Sequence, residues 1–378
     1  NLQCRDFRLT ALMCAAYCCW NRTEGVTKQE YLKCVQILLE AGANKFLVNS
    51  TGDTALTLGA HDEEVSECII RSIEHDMITG ALTAPEPEPE PEGPRSFANS
   101  HFKKAYDSQT MPIEMATVVF AKLNEFLYTY CSVHSLQSKA ELALLKTFVK
   151  NLQRETMQHA GVEVHGEAGP TAELLWTSAQ TFEGVEGHEK ELCSLINSAI
   201  RDDHPELAGP TAGICRAINT LCVVRGHAVD RLRFPKAGIT YRGGGFDNAH
   251  KGFFTEGKQF RVPGFLATSF SIKVAKNFRD NIATPPPGGS RILWMIRIDP
   301  EGETDPAKRC KHVNFVSNSH IVDAYGNPRE AEFLFAPYSA FTIKSVKWGD
   351  GGEPHVIKIE AATDNSTVPE DLPLSPWY

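Results

Sequence analysis

The sequence predicts an α+β protein with helices first and sheet second. From Ser96 to about Arg231, apolar residues recur at the helical period, and after Phe234 they alternate at the strand period. Helices followed by a run of strands read as α+β. Two further features divide the chain: an internal echo within the first 80 residues and the run APEPEPEPEGP at 84–94.

The bulk numbers bound the function. At 378 residues, two or three domains are expected. With 42% hydrophobic and 22% charged residues the composition is that of a globular chain. A net charge of -9 argues against a general nucleic-acid binder, because phosphate neutralisation needs basic clusters. No run of about 18 apolar residues suggests a spanning helix, and no signal peptide is visible. Eleven cysteines have no framework spacing. Cys14, Cys18, Cys19 and Cys34 lack a CxxC pair, so they are expected to pack between helices as small apolar residues rather than bind metal. Reduced thiols favour a cytoplasmic location.

The echo pairs RLTALMCAA (8–16) with GDTALTLGA (52–60), and CVQILLEAGANKFLVNSTG lies between them. Val35, Leu38 and Leu39 share one helical face, and Gly42 sits where a helix terminator belongs. The stretch resembles ankyrin repeats, with Ala11-Leu12-Met13 in place of the usual Pro-Leu-His and a longer insertion over 18–33. Two repeats are few for a self-standing array. The Pro/Glu run can be neither helix nor sheet interior. It reads as an extended spacer, about 30 Å long at polyproline II rise.

Next come three helical stretches with charged opposite faces: IEMATVVFAKLNEFLYTY, KAELALLKTFVKNLQRETM and EKELCSLINSAIRDD. The strands expected after them are ITYRG, KQFRVPGFLATSF, RILWMIRID, EAEFLFAP, FTIKSVKW and HVIKIEAA, joined by Gly/Pro/Asn turns.

Three fragments carry the chemistry. In EAEF, strand geometry would place Glu330 and Glu332 on one face. Two close carboxylates perturb each other's titration and can steady an oxocarbenium cation. In ITYRGGGF, Arg242 offers a planar fork to phosphate oxygens, and the glycines after it let a ligand approach the backbone. In FLATSFS, Thr268 and Ser269 supply hydroxyls. Each fragment alone also reads as an ordinary polar strand or turn.

Their order, Arg-Gly, then Thr-Ser, then Glu-x-Glu, resembles the arginine-serine-glutamate class of mono-ADP-ribosyltransferases. VAKNF, LINSAIRDD and EAEFLFAPYSAFTIKSV resemble further family segments, so the likeness spans roughly 170–362. It implies a helical lobe plus a two-sheet β core, with NAD as substrate and no metal. By that resemblance Glu332 is the catalytic glutamate, and Glu330 binds the acceptor and implies arginine specificity. Arg242 binds the NAD phosphates with Gly243 near the nicotinamide amide, Thr268 and Ser269 complete the NAD site, and Phe278 stacks on nicotinamide. Tyr325 belongs to the acceptor-recognition loop, and Arg279 assists the phosphates. Ala267 departs from the family, which has a serine there holding the catalytic glutamate.

The expected division is 1–80 ankyrin-like repeats, 81–97 linker, 98–238 helical lobe, 239–362 ADP-ribosyltransferase β core and 363–378 flexible tail. The expected activity is transfer of ADP-ribose from NAD to an arginine of a target protein, with the repeats binding a protein and neither nucleic acid nor membrane as partner. Two alternatives stand beside it: an NAD glycohydrolase, and a catalytically silent ankyrin-type binding module.

Overall fold

The computed structural model describes residues 7–21, 26–79, 95–109, 115–160, 168–185, 188–219, 238–298, 310–316, 331–350 and 352–376. They fall into two compact units, one from 7–79 and 101–219 and the other from 95–100 and 238–376.

The first unit begins with α1 (Ala11–Trp20), α2 (Lys28–Glu40), α3 (Ala55–Leu58) and α4 (Glu63–Thr79). The echoed Thr-Ala-Leu has a local cause. Thr10 and Thr54 are the N-caps of α1 and α3, and each hydroxyl accepts the backbone N–H three residues on. Gly42 ends α2 as the spacing predicts. It is left-handed at φ 75°, and the N–H groups of Gly42 and Ala43 return to the carbonyls of Leu39 and Leu38. Of the four clustered cysteines only Cys19 is buried, and burial pushes its thiol up to about 11; Cys14 and Cys34 are exposed, against expectation.

Then follow α5 (His101–Ser108), α6 (Ala116–Val133), α7 (Lys139–Ala160), α8 (Ala168–Trp176), a hairpin of β1 (Thr181–Val185) and β2 (His188–Glu191), α9 (Leu192–Asp202) and α10 (Pro205–Asn219). The sequence did not suggest the hairpin. Nor is α6 amphipathic in place: every residue from Ala121 to Cys131 is buried, so its charged side has no solvent to face. Its lysine is neutralised internally. Lys122 donates from Nζ to the Gly52 carbonyl at 3.1 Å and lies 3.7 Å from Asp53 and 3.9 Å from Glu125. Burial raises the Glu125 carboxyl above the usual carboxylate range. These bonds tie the first helices to the later ones. The bodies expected separately at 1–80 and 98–238 thus cluster as one.

The second unit holds β3 (Ile239–Phe246), β4 (Gln259–Val262), β5 (Leu266–Ser269), α11 (Ile272–Asn277), β6 (Ser290–Arg297), β7 (Val313–Phe315), β8 (Glu332–Phe335), β9 (Ser339–Lys347) and β10 (His355–Ala361). A π-turn over Phe278–Ile282 extends α11. The strands form one hydrogen-bonded sheet in the order β4-β9-β10-β6-β3-β5-β8-β7, where two separate sheets were expected. Among the described strands, β10 and β6 are the one parallel pair. The link between β3 and β5 is a single register pair, Tyr241 with Ser269. That seam divides the sheet into halves of five and three strands. Both halves pack one apolar core, with Phe246, Trp294 and Ile357 from one and Leu266, Phe333 and Phe335 from the other. Burial of these side chains in one cluster joins the two halves where the ladder between them is thinnest.

Residues 363–376, expected as a flexible tail, are packed against this sheet. Arg261 on β4 is 1% exposed. Its guanidinium donates to the carbonyls of Tyr338, Asn365, Val368 and Pro369. The backbones of Arg261, Pro373 and Ser375 exchange further bonds, so the tail covers the exposed edge of β4.

His312 gives this unit a pH dependence. Its Nε2 faces the Ala362 carbonyl at 2.7 Å, which can only accept, so the neutral ring carries its proton there; Nδ1 lies 2.8 Å from the Ser339 hydroxyl. Burial lowers its pKa from 6.5 to about 4, against the opposing pull of the Ala362 bond. A folded pKa below the unfolded value means that the unfolded chain binds the proton first. Stability is then fully present above about pH 6.5 and is lost as pH falls towards 4. The loss amounts to roughly 3 kcal/mol. Urea unfolding of this unit across that window should show the slope, and His312→Gln should flatten it.

Candidate active site

The seam between β3 and β5 is also where the three sequence fragments meet. A small cleft of about 80 Å³ is lined by Tyr241, Arg242, Gly243, Ala267, Thr268, Ser269, Val274, Ala275, Phe278 and Glu332. The structure therefore brings together Arg242, Gly243, Thr268, Ser269, Phe278 and Glu332. Glu330 and Tyr325 lie outside the described residues.

The β5–β8 register decides which hydroxyl serves the glutamate. Ser269 is directly opposite Glu332, Thr268 opposite Phe333 and Ala267 opposite Leu334. Directly opposed side chains share a face at close range, whereas a residue two steps along the ladder is about 7–8 Å away. Ala267 is thus the diagonal neighbour of Glu332, and Ser269 the direct one. The Ser269 hydroxyl also accepts the Ser271 N–H at 3.0 Å, which turns the chain into α11. The Thr268 hydroxyl donates to the Phe333 carbonyl at 2.8 Å and so locks this register from inside the sheet. Glu332 is 7% exposed and lines the cleft.

The same-face pairing of Glu330 with Glu332 assumed extended backbone between them. Ala331 is instead left-handed, with φ 48°, and β8 begins only at Glu332. The alternation rule does not carry across that residue. Left-handed backbone costs an alanine roughly 1–2 kcal/mol. It is held here by the Phe270 N–H bonding to the Ala331 carbonyl at 3.1 Å. Strain of this kind gathers at functional sites.

The glycines after Arg242 have another use than the one expected. A methyl on Gly243 would sit 1.8 Å from the Ala275 carbonyl and 2.7 Å from the Arg279 nitrogen; one on Gly245 would sit 2.8 Å from the Pro285 Cα. Gly243 admits the protein's own α11 segment and Gly245 the Thr284–Pro285 turn beyond it, while Gly244 faces open space. Gly243 thereby seats the helix that carries Phe278 into the cleft. Gly243→Ala should displace α11, costing about 2 kcal/mol or more and most of any ligand binding. Thermal unfolding together with a ligand titration checks both effects.

Arg242 donates from Nη1 to the Ala267 carbonyl at 2.8 Å, a bond that reaches across the seam. Arg279 is gripped by its neighbour: Nε and Nη2 bond the two Asp280 oxygens at 2.6 and 2.7 Å. That fork raises the arginine pKa and lowers that of Asp280. It occupies one of the guanidinium's two bidentate edges, the one formed by Nε and Nη2. Sequence reasoning overlooked Val274 and Ala275 as cleft residues. Their signal was the segment VAKNF that follows FLATSFS and carries Phe278. Among the described residues, no group of three His, Cys, Asp or Glu could hold a metal, and no helix is long and apolar enough to cross a membrane.

The chain is similar to several solved ADP-ribosyltransferases. The Vis enzyme of Vibrio splendidus, solved with an inhibitor, is 18% identical at a TM-score of 0.35, covering 61% of this chain and 88% of its own. HopU1 of Pseudomonas syringae is 18% identical at a TM-score of 0.33, covering 56% and 83%. Exoenzyme S of Pseudomonas aeruginosa, solved with human 14-3-3 protein beta and carba-NAD, is 18% identical at 0.33, covering 59% and 89%. Likenesses this distant do not by themselves assign a fold or a role. No family model matches the chain, and no curated protein matches it.

Proposed function

We infer that the cleft cleaves the nicotinamide–ribose bond of NAD and passes ADP-ribose to an arginine side chain of a target protein. The observation that carries this reading is the convergence at one seam of a buried carboxylate, a hydroxyl directly opposite it, an arginine and an aromatic ring. Arg242, Ser269, Phe278 and Glu332 come from three strands and one helix. A cleft of this size suits one aromatic ring, with Phe278 to stack on it and Val274, Ala275 and Tyr241 to enclose it. The rest of the dinucleotide would extend towards Arg242, whose guanidinium suits phosphate.

In the reaction the ribose C1′–N bond breaks, and the electron pair leaves with nicotinamide. Glu332 stabilises the positive ribose ring, held in line by Ser269. An acceptor guanidinium nitrogen then bonds to C1′ and gives up a proton, for which Glu330 is the proposed recipient. With water as acceptor the same cleft is an NAD glycohydrolase. The silent-module alternative rested on Ala267, and the register weakens it, because Ser269 is the hydroxyl opposite Glu332. Ala267→Ser should accordingly change turnover by no more than about threefold, a size that leaves positioning intact. The first four helices are proposed as an ankyrin-like pair that engages the target protein, in the cytoplasm. The capped Thr-Ala-Leu starts and the Gly42 helix end support that reading.

Titration calorimetry with carba-NAD tests the site itself. Binding to the wild type that Phe278→Ala and Arg242→Ala each weaken at least about tenfold supports the assignment. Absence of binding to folded wild-type protein would remove it.

A further inference from the structure

A second concavity, unrelated to the cleft, lies wholly within the helical unit. It is a groove of about 820 Å³. Its floor is one face of α6, from Ala116 through Phe120 and Ala121 to Tyr128; α4 forms one wall and α7 the other. Along Ala116 to Tyr128 the floor runs about 18 Å, or three to four helical turns. One end is closed, because the Tyr128 hydroxyl donates to Glu74 at 2.5 Å and Lys146 bonds the same carboxylate at 2.7 Å. Towards the other end His61 meets the Thr117 hydroxyl at 3.3 Å.

The lining has a particular pattern. Ile70 and Phe120 remain half-buried along the groove, which leaves an apolar strip uncovered. The α4 wall is acidic: Glu63, Glu67 and Glu74 line it, and its one cation, Arg71, is paired with Glu67 at 3.0 Å. The α7 wall carries Lys146 and Lys150, both exposed. All three elements are helices, whose backbone donors and acceptors are satisfied internally. An extended segment laid here would leave its own amides without partners, whereas a helix arrives with them satisfied.

We propose that this groove receives an amphipathic helix of a partner protein, about three turns long, with an apolar face flanked by basic residues on one side and acidic residues on the other. The basic flank lies against Glu63 and Glu67, and the acidic flank against Lys150. An apolar face anchored between walls of opposite sign is the helix-in-groove mode of recognition, with charge setting partner choice. A helix with a single sign on both flanks meets like charge on one wall in either direction of lying.

The test uses three synthetic helical peptides with one shared apolar stripe. The first has lysines on one flank and glutamates on the other, the second lysines on both, the third glutamates on both. Fluorescence anisotropy with the whole chain should show the mixed peptide binding at least about tenfold tighter than the others. Lys150→Glu, a surface change that leaves the fold intact, should shift preference to the all-lysine peptide. Phe120→Asp should abolish binding of all three. Equal affinity for the three peptides, no binding by folded protein, or an unchanged preference in Lys150→Glu would each overturn the proposal. So would dimerisation of the wild type that Phe120→Asp prevents, since the occupant would then be a second copy of this chain.

Discussion

Replacing Glu332 with glutamine should lower nicotinamide release from NAD by about a thousandfold while the protein stays folded. Glutamine matches glutamate in size but cannot carry the negative charge that offsets a forming oxocarbenium cation. Losses of this order follow the removal of one electrostatic group at a reacting centre. On the proposed reaction the effect should fall on kcat, because there the carboxylate would act on charge that exists only in the transition state. Glu332 is buried at the start of β8, and glutamine fills the same space there. Thermal unfolding of Glu332→Gln should therefore occur within a few degrees of the wild type. A variant that unfolds early would show a structural role instead.

The second large effect is on stability. Arg261→Ala should destabilise the sheet unit by about 3–5 kcal/mol, because it removes charge-assisted hydrogen bonds and leaves several carbonyl acceptors unsatisfied at once. Five hydrogen bonds from one guanidinium hold carbonyls of Tyr338, Asn365, Val368 and Pro369. The ring of Phe97 lies 5.3 Å from the same group. Burial lowers the arginine pKa, but not enough to discharge it. Without it those carbonyls face a void, and the tail loses its hold on the edge of β4. Arg261→Lys should recover only part of the loss, because one ammonium cannot span carbonyls spread over several residues. Urea unfolding measures the energy. Hydrogen exchange at Ser375 and Ala340, whose N–H groups bond Arg261 and the Asn365 side chain, locates it.

What could be read from the residues alone was local or ordered along the chain. The echo of 8–16 in 52–60, the stop at Gly42, the main strands after Phe234 and the Arg242, Ser269, Glu332 sequence all depend on neighbours a few residues away. What escaped depends on distant partners. Arg261 sits between Phe260 and Val262, all three buried, so strand alternation failed to mark it. Its partners are about a hundred residues further along, and no spacing rule reaches them. Gly243 reads as an opening for ligand until α11 is seen packed on it. The charged side of α6 is periodic in sequence yet enclosed in space, because Asp53 and Gly52 come from another part of the chain to meet Lys122. The β1–β2 hairpin is short, polar and set among helices, so it gave no apolar alternation to detect.

The measurement that bears most directly on the central claim follows label from the ADP-ribose half of NAD, with wild-type protein and agmatine as acceptor. The account predicts labelled ADP-ribosyl-agmatine, formed in step with nicotinamide and absent with Glu332→Gln. NAD left intact by folded wild-type protein would contradict it.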